Sequence, residues 1–263
     1  MKVKYPIKFV TLGEVLNWSM SLSNMISEDD FKPNVVIAVG RGGMAVARFI
    51  CDFLDVDYML FLPIRWVETK KRACEQYLAD LIRGYLMAQR EGEPIDKYIK
   101  EVVSGLRVTL SFEYTVDLSK YSALLVEEIV ATGMHMKLAK KIVKEKWKAN
   151  NVKTATLVWK SSTSPFFRPD WYLIETKDFI WFQFPWSRLG DYTQFIKVML
   201  EETSHEKNMY KWRIDEVEVL FEEWYGEKPD KKYLIKALDK LNEAGCLKFV
   251  DGRTIELPEN NKI

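Results

Sequence analysis

The chain has 263 residues, 48% of them apolar, and a formal net charge of +1. That is enough for one large domain, or one domain with a small companion, built around a real core. The near-zero charge gives no general attraction for nucleic acid or an anionic membrane, and three scattered cysteines with two histidines argue against a disulfide framework or a zinc site. The opening MKVKYPIKFV lacks the apolar run of a signal peptide and no segment reaches membrane-spanning length, so a cytoplasmic protein is expected.

Leu12, Val15, Leu16, Met20 and Leu22 recur at helical spacing behind Thr11, a suitable N-cap. Phe31 to Asn34 reads as a turn. Val35 to Val39 is a continuous β-branched run, the mark of a strand buried on both faces. Gly40-Arg41-Gly42-Gly43 ends it, a helix follows from Met44 to Leu54, and Tyr58 to Ile64 reads as a second strand. Strand, loop, helix, strand predicts an α/β architecture. Residues 66–105 are charged, with helical spacing in Ala73, Tyr77, Leu81, Ile82, Tyr85 and Leu86 and a break at Glu91-Gly92-Glu93-Pro94; they read as an inserted helical hairpin. Alternation over Val108, Leu110, Phe112 and Tyr114 predicts a strand. A buried strand over Tyr121 to Val126, a helix over Met136 to Trp147 and a strand over Val152 to Trp159 continue the pattern. Short strands are expected near Trp171–Ile174 and Phe179–Phe184.

From about Lys207 the character changes. An acidic helix over Ile214 to Trp224 and a second over Asp230 to Ala244, closed by Gly245, precede two short strands around Asp251-Gly252. Residues 1–206 are therefore expected to form the main domain and 207–263 a small winged-helix-like appendage.

The chemistry concentrates in LLVEEIVATGMHM, residues 124–136. In an open parallel sheet, ligands bind at the carboxyl ends of strands. Glu127 and Glu128 are expected there, followed by backbone N–H groups of Ala131 to His135 at a helix N-terminus, which suit a phosphate. Carboxylates accept hydrogen bonds from a sugar diol or hold Mg²⁺. A phosphate site beside a diol site describes a phosphorylated sugar. Taken alone, the stretch also fits an ordinary strand-to-helix loop with surface glutamates. A second loop, Gly-Arg-Gly-Gly at 40–43, favours the anion site: its glycines permit close approach, and Arg41 can grip phosphate bidentately.

With both loops in view, the chain resembles the type I phosphoribosyltransferases, and among them the purine enzymes of the xanthine-guanine and hypoxanthine type. FKPNVVIAVGRGGMAVARF resembles the family's pyrophosphate loop, and YSALLVEEIVATGMHM its motif for phosphoribosyl pyrophosphate (PRPP). TLVWKSSTSPFFRPDWYLIETKDFIWFQFPW resembles its purine-recognition end. The match covers roughly residues 8–64 and 108–200. It implies a mostly parallel sheet flanked by helices. It also implies that Arg41 and Gly42 bind pyrophosphate and that Glu127 and Glu128 hold the ribose hydroxyls, with Glu128 near Mg²⁺. Ala131, Thr132, Gly133, Met134 and His135 would cradle the 5′-phosphate. Lys160 would donate to a purine O6, and Trp181 or Phe179, read as lying on one strand face, would stack on the base. The implied assembly is a homodimer or tetramer.

Departures from the family pattern are specific. The acids are Glu-Glu, not Asp-Asp or Glu-Asp. Ala131 stands where 6-oxopurine enzymes carry an Asp, and Ala-Thr-Gly resembles the adenine enzymes, whereas Lys160 favours a 6-oxo group. His135 replaces a Thr or Ser. The insertion takes the place of the flexible closing loop, with Arg65, Lys70, Lys71 and Arg72 as candidate basic groups. These changes keep a second expectation open: a PRPP- or nucleotide-sensing regulator whose C-terminal winged helix binds DNA. The acidic helix IDEVEVLFEEW weighs against nucleic acid.

Overall fold

The computed structural model describes residues 3–67, 77–95, 97–98, 107–164 and 167–258. In chain order its elements begin with β1 (Ile7–Phe9), α1 (Leu12–Glu28), β2 (Val35–Val39), α2 (Gly43–Phe53), β3 (Tyr58–Leu62), β4 (Ile64–Trp66) and α3 (Tyr77–Glu91). They continue with β5 (Val108–Leu110), β6 (Ser122–Val130), α4 (Met134–Glu145), β7 (Asn151–Lys160), β8 (Trp171–Thr176) and β9 (Trp181–Gln183). The last are α5 (Arg188–Lys207), β10 (Lys211–Arg213), α6 (Ile214–Tyr225), α7 (Lys231–Glu243), β11 (Lys248–Asp251) and β12 (Thr254–Glu256). The chain divides into two compact units, one of Thr11–Val67 and Val103–Phe179, the other of Met1–Val10, Glu68–Val102 and Ile180–Ile263.

The first unit is built on a five-stranded sheet in the order β3-β2-β6-β7-β8, every neighbouring pair parallel. This is the α/β arrangement of a mostly parallel sheet flanked by helices. All five residues of β2 are buried, because helices cover both faces. Val35, Ile37, Val39, Ala123 and Leu125 share one cluster with Met136, Ala139, Ile142 and Val143 of α4. Each such Val or Ile taken from water contributes roughly 1.5–3 kcal/mol. Helices α1 and α2 pack on each other and on the sheet as well. Thr11 caps α1 as expected, in a full capping box with Glu14. Asp170, in the Arg-Pro-Asp-Trp turn, accepts from the Thr154 backbone N–H at 2.9 Å and its hydroxyl at 2.7 Å, which ties β8 to β7.

The strand expected over 58–64 is two strands. Pro63 has no N–H for the ladder. Beyond it the chain leaves the main sheet, and β4 pairs antiparallel with β5 alone. The alternation through Phe112 and Tyr114 does not extend β5. Phe112 is exposed, and the Tyr114 hydroxyl instead donates to the Phe61 carbonyl.

In the second unit, β1 and β9 form a parallel pair. The expected strand over 179–184 is therefore reduced to Trp181–Gln183, and Phe179 precedes it in a loop. Helix α5 was not foreseen from the sequence, yet residues Tyr192 to Leu200 along it are all buried. Helix α3, the first helix of the insertion, packs on α5. Arg83 meets Glu201 at 2.8 Å, and Arg90 reaches Glu202 at 2.8 Å and Glu206 at 3.0 Å. The second expected helical piece falls largely outside the described residues, as do Lys70, Lys71 and Arg72. Toward the C-terminus, β10, β12 and β11 form an antiparallel sheet in that order around α6 and α7. The turn before β12 is Gly252-Arg253, and Asp251 Oδ1 accepts from the Arg253 N–H at 2.7 Å. Gly245 closes α7 at φ +71°, as its sequence position implied.

Asp191, in the first turn of α5, accepts from Trp181 Nε1 at 3.1 Å and from Ser187 Oγ at 2.8 Å. Burial pushes its carboxyl up from 3.8 to about 6, against those hydrogen bonds. A raised carboxyl pKa stabilises the fold below about pH 4, and that contribution is lost as pH rises through about 6; the shift amounts to about 3 kcal/mol at most. Asp191→Asn, which keeps an acceptor and cannot ionise, should flatten the fall in melting temperature between pH 4 and pH 6.5 relative to the parent. Parallel melting curves over that range would contradict the assignment.

Candidate functional site

The site lies at the carboxyl ends of β2 and β6 in the first unit. The two strands pair only through Val35–Ala38 and Ala123–Val126, and β6 continues four residues further, to Val130. The expectation that the strand ends at Val126 is corrected accordingly. Glu127 and Glu128 lie within β6, held on its other side by β7, where Glu127 registers with Thr156. With β2 already finished, the edge of β6 at the acids is open to the loop that follows β2.

That loop approaches very closely. Gly40 takes φ +62° and donates its N–H to the Leu62 carbonyl at 3.0 Å, which turns the chain sharply. A Cβ on Gly43 would overlap the Val126 carbonyl oxygen, and one on Gly42 would overlap the Glu128 carboxylate. Both glycines are thus required by contact, for different reasons: Gly43 by rigid backbone, Gly42 by a side chain. Arg41, immediately before them, is exposed and makes no ion pair among the described residues.

After β6, Ala131 to Gly133 form the turn and α4 starts at Met134, two residues before its expected start. Gly133 is left-handed at φ +76°, and a Cβ there would strike Phe167 and Ser164. Thr132 Oγ1 accepts from the Met134 N–H at 3.3 Å, and Thr163 Oγ1 donates to the Ala131 carbonyl at 2.5 Å. The loop after β7 therefore buttresses the turn, a role for Thr163, Ser164 and Phe167 that the sequence did not signal. Free N–H groups at the start of a twelve-residue helix favour an anion.

His135, the second residue of α4, does not face solvent like an ordinary first-turn residue. Its Nδ1 lies 2.7 Å from Glu127 Oε1, and the Trp66 ring sits 4.6 Å away, centroid to centroid. Burial disfavours the charged imidazole. The Glu127 carboxylate, its hydrogen bond and Glu128 outweigh that, so the His135 pKa is raised. Trp66 was not singled out from the sequence; a lone tryptophan at the end of an apolar run carries no signal of its own.

Lys160 ends β7 and is buried, its Nζ 5.3 Å from the centre of the Phe179 ring. Burial brings its pKa from 10.5 down to about 8. Phe179 is one of the two aromatics expected near it. Trp181 belongs to the other unit, where its indole N–H is given to Asp191. Phe179 precedes β9 and Trp181 opens it, so the two do not share one strand as expected. The first unit thus gathers Arg41, Gly42, Glu127, Glu128, Ala131 to His135, Lys160 and Phe179.

Among the described residues no three His, Cys, Asp or Glu groups cluster as a metal cage, and no helix is long and apolar enough to cross a membrane.

No protein-family model and no curated protein sequence matches the chain. Solved structures do. A purine phosphoribosyltransferase from Pyrococcus horikoshii is 20% identical, with 68% of this chain and 93% of that one covered and a TM-score of 0.48. The xanthine-guanine-hypoxanthine phosphoribosyltransferase of Helicobacter pylori is 17% identical, with 66% and 90% covered and a TM-score of 0.44. A hypothetical protein from Neisseria gonorrhoeae with bound ppGpp is 17% identical, with 74% and 96% covered and a TM-score of 0.49.

The two glycines make a paired prediction. Gly42→Ala should leave the fold within about 1 kcal/mol of the parent, because the Glu128 side chain can swing away, whereas Gly43→Ala meets immovable backbone and should cost about 1–3 kcal/mol. Urea unfolding of both variants tests this; equal destabilisation would show that the Glu128 side chain cannot swing away from Gly42.

Proposed function

We propose that this chain is a Mg²⁺-dependent purine phosphoribosyltransferase, converting PRPP and a purine base to the purine nucleoside 5′-monophosphate and pyrophosphate. The observation that carries the reading is the pair of anion-suited loops at the ends of adjacent parallel strands, with the Glu128 carboxylate against Gly42 of one and Glu127 bonded to His135 of the other. In this reading Arg41 and the backbone around Gly42 take the pyrophosphate. The N–H groups from Ala131 to His135 take the 5′-phosphate. Glu127 and Glu128 accept from the ribose hydroxyls.

The donor set fits Mg²⁺, a hard cation that prefers one or two carboxylates plus substrate phosphates to a protein cage. Glu128 would hold it from the protein side, and the ion would neutralise charge on the departing pyrophosphate. The reaction is displacement at the anomeric carbon. The purine N9 or N7 lone pair forms the new C–N bond as the C–O bond to pyrophosphate breaks and its electron pair leaves with oxygen, and the hydrogen on the other imidazole nitrogen of the base is released to solvent as a proton. Positive charge develops on the ribose, and the two carboxylates favour it. Lys160 would donate from Nζ to a purine O6, and Phe179 would offer its ring to the base, with Trp181 the alternative stacking residue. An ammonium suits a 6-oxo group, so we assign the base to the 6-oxopurines. Ala131 in the phosphate turn is then tolerated. Assembly as a homodimer completes the proposal.

A second reading is favoured by one observation, the antiparallel β10-β12-β11 sheet with α6 and α7, which suits a winged-helix-like appendage. It would make the chain a PRPP- or nucleotide-responsive regulator that binds DNA. Several basic groups there are already committed: Lys231 to Glu218 at 3.0 Å, Lys248 to Glu256 at 3.0 Å and Arg213 to Asp215 at 3.0 Å. A salt-sensitive gel shift would favour the regulator over the transferase.

The transferase reading is tested by incubating the protein with Mg²⁺, PRPP and each of hypoxanthine, guanine, xanthine and adenine, and separating the nucleotides by chromatography. Turnover of a 6-oxopurine is expected, and no turnover of any base would overturn it. Lys160→Met should raise KM for the 6-oxopurine by roughly 10- to 100-fold, the worth of a charge-assisted hydrogen bond. In the parent, base affinity should weaken as pH rises through about 8, where Lys160 loses its proton; an unchanged profile in Lys160→Met is the matching control.

A further inference from the structure

The His135 ring has one nitrogen engaged and one without a partner. Nδ1 faces Glu127 Oε1 at 2.7 Å, so Nδ1 carries the hydrogen. Nε2 is buried and makes no hydrogen bond among the described residues. An unsatisfied buried nitrogen costs about 1–3 kcal/mol, which no group among the described residues offsets. The ring stands on the first turn of α4, where the helix N–H groups also point without intrahelical partners. Above it lies Trp66. The strand that carries Trp66 pairs only with β5, in a two-stranded ribbon of three residues each, the least strongly held sheet in the first unit. The other Glu127 oxygen has no protein partner among the described residues, on the same carboxylate that fixes the imidazole.

Resting on the transferase reading, we propose that His135 is a specificity-determining residue for the 5′-phosphate, that Glu127 is its positioning residue, and that the Trp66 indole is the displaceable cover over it. A phosphate seated at the start of α4 receives the Nε2–H of the cationic ring once Trp66 swings aside. Glu127 keeps Oε1 on Nδ1 and turns its second oxygen to a ribose hydroxyl. One carboxylate then links the sugar and phosphate subsites, so the site selects a phosphorylated ribose over either fragment alone. The Thr or Ser of the resembling enzymes could not make that link.

The chain has only two histidines, and the second, His205, is exposed on α5, so the imidazole resonances are readily assigned with His205→Asn. The experiment is a titration of the ¹⁵N-labelled full chain with ribose 5-phosphate, and separately with ribose, following the His135 Nε2 shift and measuring affinities by calorimetry. Ribose 5-phosphate should move the Nε2 resonance and ribose should not. His135→Ala should bind ribose 5-phosphate roughly 10- to 100-fold more weakly. His135→Gln, which keeps an N–H donor, should restore part of that loss, Glu127→Gln should weaken binding in the same direction, and Trp66→Ala should not weaken it. Binding of ribose 5-phosphate with an unmoved His135 resonance would overturn this inference and leave the transferase reading standing. Absence of binding of both ribose 5-phosphate and PRPP would overturn both. Weaker binding by Trp66→Ala would overturn the covering role of the indole.

Discussion

The arrangement of the site depends on one close approach. The Gly42-Gly43 backbone lies so near β6 that a methyl on either residue would collide, with the Val126 carbonyl in one case and the Glu128 carboxylate in the other. This contact exists because β2 stops while β6 runs on, so the loop after β2 folds over an unpaired strand edge. It brings an arginine-bearing loop, two carboxylates and a helix N-terminus into one neighbourhood of the first unit. No single motif does this; the parallel pairing of β2 with β6 does.

The electrostatics of that neighbourhood point toward an oxygen-rich ligand. Glu127 is almost fully buried, yet its one partner among the described residues is a histidine whose charge it promotes. Lys160 is buried with its pKa brought down to about 8. Buried ionisable groups are costly unless paired, and such groups cluster where a ligand completes the pairing. A ligand carrying both hydroxyls and phosphate would offer partners to Glu127 and to the buried Nε2 of His135, which makes no hydrogen bond among the described residues. Thr163 and Ser164 buttress the Ala131–Gly133 turn, and the proposed phosphate cradle would depend on a backbone held in place in this way.

Much of this was legible in the sequence because it is local. Thr11 with Glu14, the β-branched run before Gly40, and the glycine after α7 each announce their structure within a few residues. What misled was chemistry read as geometry. Two adjacent glutamates looked like the end of a strand, but β7 continues to hold them in the sheet. Pro63 broke a run whose composition stayed apolar. The pairing of β1 with β9 was invisible because three-residue strands matched across more than 170 positions leave no local trace. Helix α5 was missed although Tyr192, Phe195, Ile196, Met199 and Leu200 recur at helical spacing.

The central claim is that the loops after β2 and β6 form one site for a phosphorylated sugar. Hydrogen–deuterium exchange with and without saturating Mg²⁺ and PRPP tests it most directly, because both loops consist largely of backbone amides. The account predicts that amides of residues 40–44 and 131–136 gain protection together, with residues 248–256 unchanged. Protection of neither loop, or of one without the other, would contradict it.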